Sequence, residues 1–399
     1  VTGTNGKTST TFLVAAAMRA AGHGVVRMGT LGNHVDDATA PQPAWEQIDG
    51  PRDAKTFYEV LERARKKGVV HAALEVTSQA LARSYAKRWR FDHAVFTNLS
   101  PDHLDAHGSW EHYLAAKAQL FVHLGPGRTA VLNASDRHAL FIDKAMPADI
   151  QRCWFSSPSR GPALTPPDLA ASSVAVTAAG TSIALVDGAL SERLGGHLEV
   201  RMVGDVFAEN ALAAAAVSLA AGVDAPSIKR GLSTCPAVPG RFEVVHLDPT
   251  VVVDFAHTPD ALARTCDTAR ALTRGQLIVV MGAGGNRSEE KRGPMGEETA
   301  RRADVVFVTN ANPRDEDPVE IAAAVVDGCQ RAGHARVHTI LDRRQAIEAA
   351  VGEAKPGDVV VIAGKGHETG QTIGAEVLPF SDVAEARRVT GQLSVPRSG

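Results

Sequence analysis

The chain has 399 residues, 44% of them hydrophobic and 22% charged, with a formal net charge of -3. That length exceeds one ordinary core and the composition is globular, so two or three domains are expected. No basic stripe points to nucleic acid, no apolar run approaches the ~18 residues that span a membrane, and the four cysteines (Cys153, Cys235, Cys266, Cys329) are too scattered for a zinc site or a disulfide framework. A cytoplasmic chain with no nucleic-acid partner and no membrane insertion is the expectation.

The chain opens on Val1-Thr2-Gly3-Thr4-Asn5-Gly6-Lys7-Thr8-Ser9-Thr10 and runs into an alanine-rich helix predicted over 11–21. Glycines at this spacing let backbone N–H groups turn toward an anion, and the helix N-terminus adds partial positive charge. Lys7 is placed to reach the β- and γ-phosphates of a nucleotide, and the Thr8 hydroxyl to hold Mg²⁺. The loop is shorter than Gly-x-x-x-x-Gly-Lys, and a Gly-Asn turn capping a helix is the competing reading. Only Val1 and Thr2 precede Gly3, where a buried strand normally stands, so the chain as given is expected to begin inside a structural unit.

A strand is predicted over 25–31, followed by a polar loop over a site at 33–52, which holds three prolines. A helix at 54–67, a buried strand at 69–76, a strand at 91–98 and a helix at 110–122 follow. Strand alternating with helix predicts a mostly parallel sheet covered on both faces, with polar strand ends at the ligand crevice. Short Val/Thr/Gly-rich strands at 172–203 read as an antiparallel flap, and 210–221 as another helix. The Pro/Gly stretch 235–240 is the best break. Beyond it strands are predicted at 251–256, 277–282, 305–309, 337–341 and 359–363, a second domain of about 160 residues. The domains are therefore placed at 1–238 and 239–399.

Several residues stand where chemistry is expected. Glu75 ends a buried strand, an expensive place for a carboxylate without a cation, so Mg²⁺ shared with Thr8 is the functional reading. Helix capping by Thr77 or Ser78 explains those hydroxyls but not Glu75. The loop 97–108 packs Asp102, His103, Asp105 and His107 together, and a metal role and a capped, solvated turn are equally open. Lys117 is either a snorkelling or a buried helix lysine. Asp254 and His257 flank a strand end, and Gly282, Gly284 and Gly285 follow another. The third glycine of a dinucleotide fingerprint is missing there, which argues against NAD. Arg287 and Arg314 suit bidentate reading of a carboxylate, with surface ion pairs as the alternative. Gly364-Lys365-Gly366-His367-Glu368 offers backbone and one acid to an ammonium group. Phosphate cradle and metal ligands in one domain, with carboxylate and amine readers in the other, imply two substrates meeting across a cleft in an ATP-dependent ligase.

These runs closely resemble the Mur ligase family of peptidoglycan synthesis. They comprise residues 2–10, 74–81, 96–121, 239–243, 254–261, 282–296, 312–318, 364–368 and 380–382, and span nearly the whole chain. The resemblance implies an α/β protein: a P-loop ATPase domain with a mostly parallel sheet, then a smaller Rossmann-like domain. It implies that Gly3, Thr4, Asn5, Gly6, Lys7, Thr8, Ser9, Asn98, Asn210, Arg241, Asp254 and His257 serve ATP or order the cleft. Thr8, Glu75, His103 and a carbamate on Lys117 would serve two Mg²⁺ ions, with Lys7, Glu75, His103 and Lys117 catalytic. Thr77 and Ser78 would face the acceptor. Arg287, Asn312, Arg314, Gly364 and Glu368 fall on the family's amino-acid site, and Arg314 favours an amino acid with a distal carboxylate, meso-diaminopimelate. The implied reaction adds it to UDP-N-acetylmuramoyl-L-alanyl-D-glutamate through an acyl phosphate, in a monomer whose partners are small molecules.

Departures from the family pattern concern the acceptor. The amino-terminal UDP-binding domain is missing from these residues, Asp49-Gly50-Pro51 stands for a Thr-Thr-Pro, Gln79 for a histidine, and Asn310-Ala311 for two aspartates. They keep open a specialised ligase using a non-UDP carboxylate. A folate polyglutamylating enzyme and a catalytically dead nucleotide-binding scaffold are further alternatives. The run 254–259 argues against the first, and Lys7, Glu75, His103 and Lys117 together against the second.

Overall fold

Val251 to Val253, Leu277 to Met281, Val305 to Val308 and Val359 to Ala363 are buried at every position. Apolar on both faces, such runs become the central strands of a parallel sheet covered by helices. A computed structural model describes residues 1–36, 45–50, 53–100 and 104–393. It divides into two units, Val1–Ala175 with Ala179–Pro236, and Ala237–Gly399 with Val176–Ala178. No helix among the described residues is long and apolar enough to cross a membrane.

The first unit carries a six-stranded sheet in the order His197–Val200, Gly180–Leu185, Leu169–Thr177, Gln151–Ser156, Thr129–Asn133, His93–Phe96. The last four strands pair in parallel, and the His197–Val200 and Gly180–Leu185 strands pair antiparallel. The expected flap at 172–203 is thus an extension of this sheet. Alternation sorts its faces: Ala94, Phe96, Ala130 and Leu132 join the core under the Trp110–Val122 and Arg137–Ala145 helices. The Val206–Ala220 helix packs on the other face and against the Lys7–Ala20 helix.

A four-stranded sheet runs Trp45–Ile48, Gly32–Asp36, Val25–Gly29, His71–Leu74, with only the last pair parallel. The loop expected at 33–52 is therefore strand at both ends. Its prolines, Pro41, Pro43 and Pro51, lie outside the described residues, and its flanks pair with each other antiparallel. Between the sheets lies Val1-Thr2. Val76 N–H donates to the Val1 carbonyl at 2.9 Å, Thr2 N–H to Val95 at 2.8 Å and Thr97 N–H to Thr2 at 3.0 Å. These bonds put Val1 and Thr2 in strand-like pairing directly ahead of the phosphate loop.

In the second unit the order is Glu243–Leu247, Thr250–Asp254, Val359–Ala363, Leu277–Met281, Val305–Val308, Arg336–Thr339, parallel except for the first pair. The Arg343–Glu353 and Asp382–Leu393 helices cover one face. The Pro259–Leu272, Arg292–Ala300 and Pro318–Ala332 helices form a layer against the same strands. The latest of these six strands in sequence, Val359–Ala363, inserts between Thr250–Asp254 and Leu277–Met281. Loops at those carboxyl ends therefore diverge, which is where an open α/β sheet binds ligands.

Candidate active site

Helix begins at Lys7, four residues earlier than predicted, so the amides of its first turn belong to the phosphate loop. Gly3 and Gly6 have φ of 150° and 82°, left-handed values that glycine adopts freely. A Cβ on Gly3 would lie 1.9 Å from Thr97 Oγ1, and one on Gly6 2.4 Å from Asn210 Oδ1. The cradle is clamped from the neighbouring strand end. Thr4 N–H donates to the Asn98 carbonyl at 2.8 Å, Asn5 N–H to Asn98 Oδ1 at 2.9 Å, and Thr97 Oγ1 to the Asn5 carbonyl at 2.6 Å. Lys7 Nζ folds back onto the Thr4 carbonyl at 2.7 Å. Ser9 is buried in the helix. Asn210 also accepts from Thr10 Oγ1 at 3.3 Å, which ties the Val206–Ala220 helix to the loop.

Beside the cradle, Glu75 Oε2 accepts from Thr8 Oγ1 and from Thr30 N–H, each at 3.0 Å, and Oε1 accepts from Thr30 Oγ1 at 2.9 Å. A carboxylate and a hydroxyl oxygen 3.0 Å apart beside a phosphate cradle suit Mg²⁺. That ion takes one or two protein oxygens and fills its octahedron with phosphate and water. Among the described residues no cluster of three or more His, Cys, Asp or Glu side chains gathers to hold a metal. A small crevice adjoins Thr8 and Glu75, lined also by Phe12, Arg27 and Gly29. The Arg27 guanidinium stacks 3.5 Å from the Phe12 ring centroid, and burial lowers its pKa to about 10.

Lys117 is 1% exposed and donates from Nζ to the Gly3 carbonyl at 2.7 Å. It is the buried alternative, not the snorkelling one. Tyr113, four residues earlier on the same helix face, bonds Thr4 Oγ1 through its hydroxyl at 3.0 Å. Thr77 caps the Ser78–Ala82 helix by accepting from Ala80 N–H, and Ser78 Oγ bonds His107 Nε2 at 2.9 Å. Asp102 and His103 lie outside the described residues.

In the second unit, Asp254 accepts from Phe242 N–H at 2.6 Å, Ala256 N–H at 2.8 Å and Thr265 Oγ1 at 3.0 Å. Those bonds engage both oxygens in bracing the strand end, so ordering rather than ligand contact is its visible role. His257 Nδ1 bonds the Phe255 carbonyl at 2.8 Å. Arg241 stacks on Phe255, 4.4 Å from the ring centroid, and meets His367 Nδ1 at 3.2 Å.

The predicted amino-acid residues gather at three adjoining strand ends, with Gly364 at φ 109° turning the chain after Ala363. Asn312 Nδ2 donates to Glu368 Oε2 at 2.9 Å. Arg314 adopts φ 53° and donates from Nη1 to the Gly285 carbonyl at 2.5 Å. Burial, reinforced by the Arg287 charge, lowers its pKa against the pull of Glu368 and Glu316. A guanidinium so placed gains from a carboxylate. Arg287 is exposed, its Nη1 3.2 Å from the Asn286 carbonyl.

Sequence reasoning passed over Thr30, Tyr113 and Lys365. Thr30 follows a strand-end glycine, Tyr113 stands at i−4 from Lys117, and Lys365 lies between two motif glycines; each signal was local and weak. It also passed over Arg343, which forms a two-pronged ion pair with Asp382 at 2.7 Å per bond, both side chains 0% exposed.

Residues 1–218 match the Mur ligase middle domain, and residues 240–366 match the Mur ligase glutamate ligase domain. A UDP-N-acetylmuramoyl-L-alanyl-D-glutamate–2,6-diaminopimelate ligase of Bacillus velezensis is 38% identical over 402 residues, covering 99% of this chain and 78% of the relative. The ligase of the same name from Caulobacter vibrioides is 39% identical over 393 residues, 96% of this chain and 77% of the relative. A solved structure of such a ligase superposes with a TM-score of 0.64 at 34% identity, over 98% of this chain and 78% of that one. Mycobacterium tuberculosis folylpolyglutamate synthase shares the fold, with a TM-score of 0.68 at 20% identity, over 98% and 89% of the two chains. With both domain matches and relatives this similar along almost its whole length, the chain belongs to the Mur ligase family.

Proposed function

We propose that this Mur ligase joins meso-diaminopimelate to the D-glutamate of UDP-N-acetylmuramoyl-L-alanyl-D-glutamate in an ATP-driven step. The observation that carries the reading is the loop cluster where Glu368, with Oε1 unengaged among the described residues, stands with the partly desolvated Arg314. One reads an ammonium group and the other a carboxylate, the two ends of an amino acid.

The γ-phosphoryl group of ATP passes to an oxygen of the acceptor carboxylate, and ADP leaves. The amine nitrogen then attacks the acyl carbon; the C–O bond to phosphate breaks, phosphate departs, and the nitrogen loses a proton as the amide forms. The loop amides and Lys7 hold the transferring phosphoryl group and offset its charge. Thr8 and Glu75 would hold Mg²⁺, which supplies Lewis acidity and charge neutralisation at the phosphates. His103 and a carbamate on Lys117 are proposed for a second ion. Buried Lys117, set against the loop backbone, is the residue for that modification. A plain amine by mass, with activity indifferent to bicarbonate, would remove the carbamate from this scheme.

The Thr77 and Ser78 hydroxyls, proposed to face the acceptor, already serve a cap and a bond to His107. This favours a test in which the acceptor is left open. ADP release is measured with meso-diaminopimelate and a panel of carboxylates. Amine-dependent release with the UDP-muramoyl dipeptide supports the reading; turnover only with another carboxylate replaces it by a specialised ligase.

A further inference from the structure

Lys365 is 0% exposed, and all three directions of its ammonium group are used. Nζ donates to Asn312 Oδ1 at 2.9 Å, to Glu368 Oε2 at 2.9 Å and to the Gly370 carbonyl at 2.7 Å. Asn312 is held further by Thr372 N–H, which donates to the same Oδ1 at 3.0 Å. The ammonium therefore meets the two side chains proposed to touch the amino acid and takes one oxygen from each. Glu368 Oε2 receives Lys365 and Asn312, whereas Oε1 accepts no hydrogen bond among the described residues.

A buried cation is costly unless its site gives something in return. Burial lowers the pKa of Lys365 against the pull of Glu368. Burial also works against the Glu368 charge, but the bonds from Lys365 and Asn312 outweigh it and hold that carboxyl below its ordinary range. The backbone is fixed separately: Arg343, paired with Asp382, donates to the Ala363 carbonyl at 2.8 Å and the Asn310 carbonyl at 3.4 Å. With both strand ends tied, Lys365 is left to orient the side chains.

We propose that Lys365 is the positioning residue of the amino-acid site, holding Glu368 and Asn312 by one oxygen each so that a single carboxylate oxygen, Oε1, meets the ammonium group of the incoming amino acid. This rests on the functional reading above. Lys365 does not touch the substrate. With Oε2 engaged by Lys365 and Asn312, the Glu368 carboxyl offers the ligand ammonium group one oxygen in a fixed direction.

The test is a double-mutant cycle on the full chain, with amine-dependent ADP release read against amino-acid and ATP concentrations. Lys365→Met should raise the amino-acid KM about 10- to 100-fold, the scale of a lost charged hydrogen bond, and leave the ATP KM within about threefold. Glu368→Gln should raise the same KM. In that background Lys365→Met should add clearly less than it does in the unaltered chain, since of the two side chains it holds only Asn312 remains to be positioned. The double variant leaves no unpaired buried charge, so it remains readable if Lys365→Met alone unfolds. An unchanged amino-acid KM in Lys365→Met, or losses that multiply in the double variant, would overturn the proposal. Absence of amine-dependent turnover in the unaltered protein would instead remove the functional reading and this proposal with it.

Discussion

The Thr8 hydroxyl, the Thr30 hydroxyl and the Thr30 amide converge on the two oxygens of Glu75. Glutamine in its place retains the shape but offers one acceptor oxygen and no charge. Glu75→Gln should therefore lower kcat about 100-fold or more, with a smaller change in ATP binding, as checked by steady-state turnover and nucleotide titration. Gly6→Ala should act earlier: alanine is strained at φ 82° and its Cβ would displace Asn210 Oδ1, 2.4 Å away, so ATP binding itself weakens. Legibility at this scale follows sequence distance. Gly3 to Thr8 could be read because the cradle is local; Tyr113 and Thr30 meet their partners across 109 and 45 residues. Asp254 was legible as a strand-end acid, but its engagement by Phe242 and Thr265 was not.

The Arg292–Ala300 and Pro318–Ala332 helices touch backbone to backbone. A Cβ on Gly296 would lie 2.1 Å from the Val325 carbonyl oxygen, and one on Gly328 2.0 Å from that of Gly293. Neither obstacle is a flexible side-chain end, so the helices must separate. Gly328→Val should lower stability by about 1–3 kcal/mol or more, seen as a lower thermal midpoint. Strands buried on both faces announce themselves by continuous Val and Ile, and four of the five parallel strands of the second unit were readable for that reason; Arg336–Thr339, a largely exposed edge strand, lacks that signal. Glu243–Leu247 was not, since it is a half-buried edge strand with Glu243 and His246 in it. Proline content hid the Gly32–Asp36 and Trp45–Ile48 strands, whose pairing depends on partners and not on propensity.

All four cysteines of the whole molecule are desolvated thiols. Burial pushes Cys153, Cys235 and Cys266 up to about 12, and Cys329 to about 11. Since the thiolate is the nucleophile, the native chain should resist a thiol reagent at pH 8 and react fourfold per chain once denatured. Fast labelling of Cys235, Cys266 or Cys329 in the native state would contradict their burial. On the acid side, Glu368 and Glu316 sit below their ordinary 4.5 in the folded chain; desolvation opposes this, and hydrogen bonds from Lys365 and Arg292 respectively outweigh it. Near that pH the unfolded chain binds more protons, so this stability is present above about 5 and lost as pH falls through the folded values. Thermal midpoints should decline on acidification, and less steeply in Glu368→Gln.

The central claim is amide formation through an acyl phosphate, with the phosphate loop at one reactant and the Glu368–Arg314 cluster at the other. Its most direct test follows oxygen. When ATP and meso-diaminopimelate are supplied with an acceptor whose carboxylate carries ¹⁸O, each amide formed should release one phosphate carrying one acceptor oxygen. Amide product accompanied by unlabelled phosphate, or ATP cleavage that ignores the amine, would contradict it.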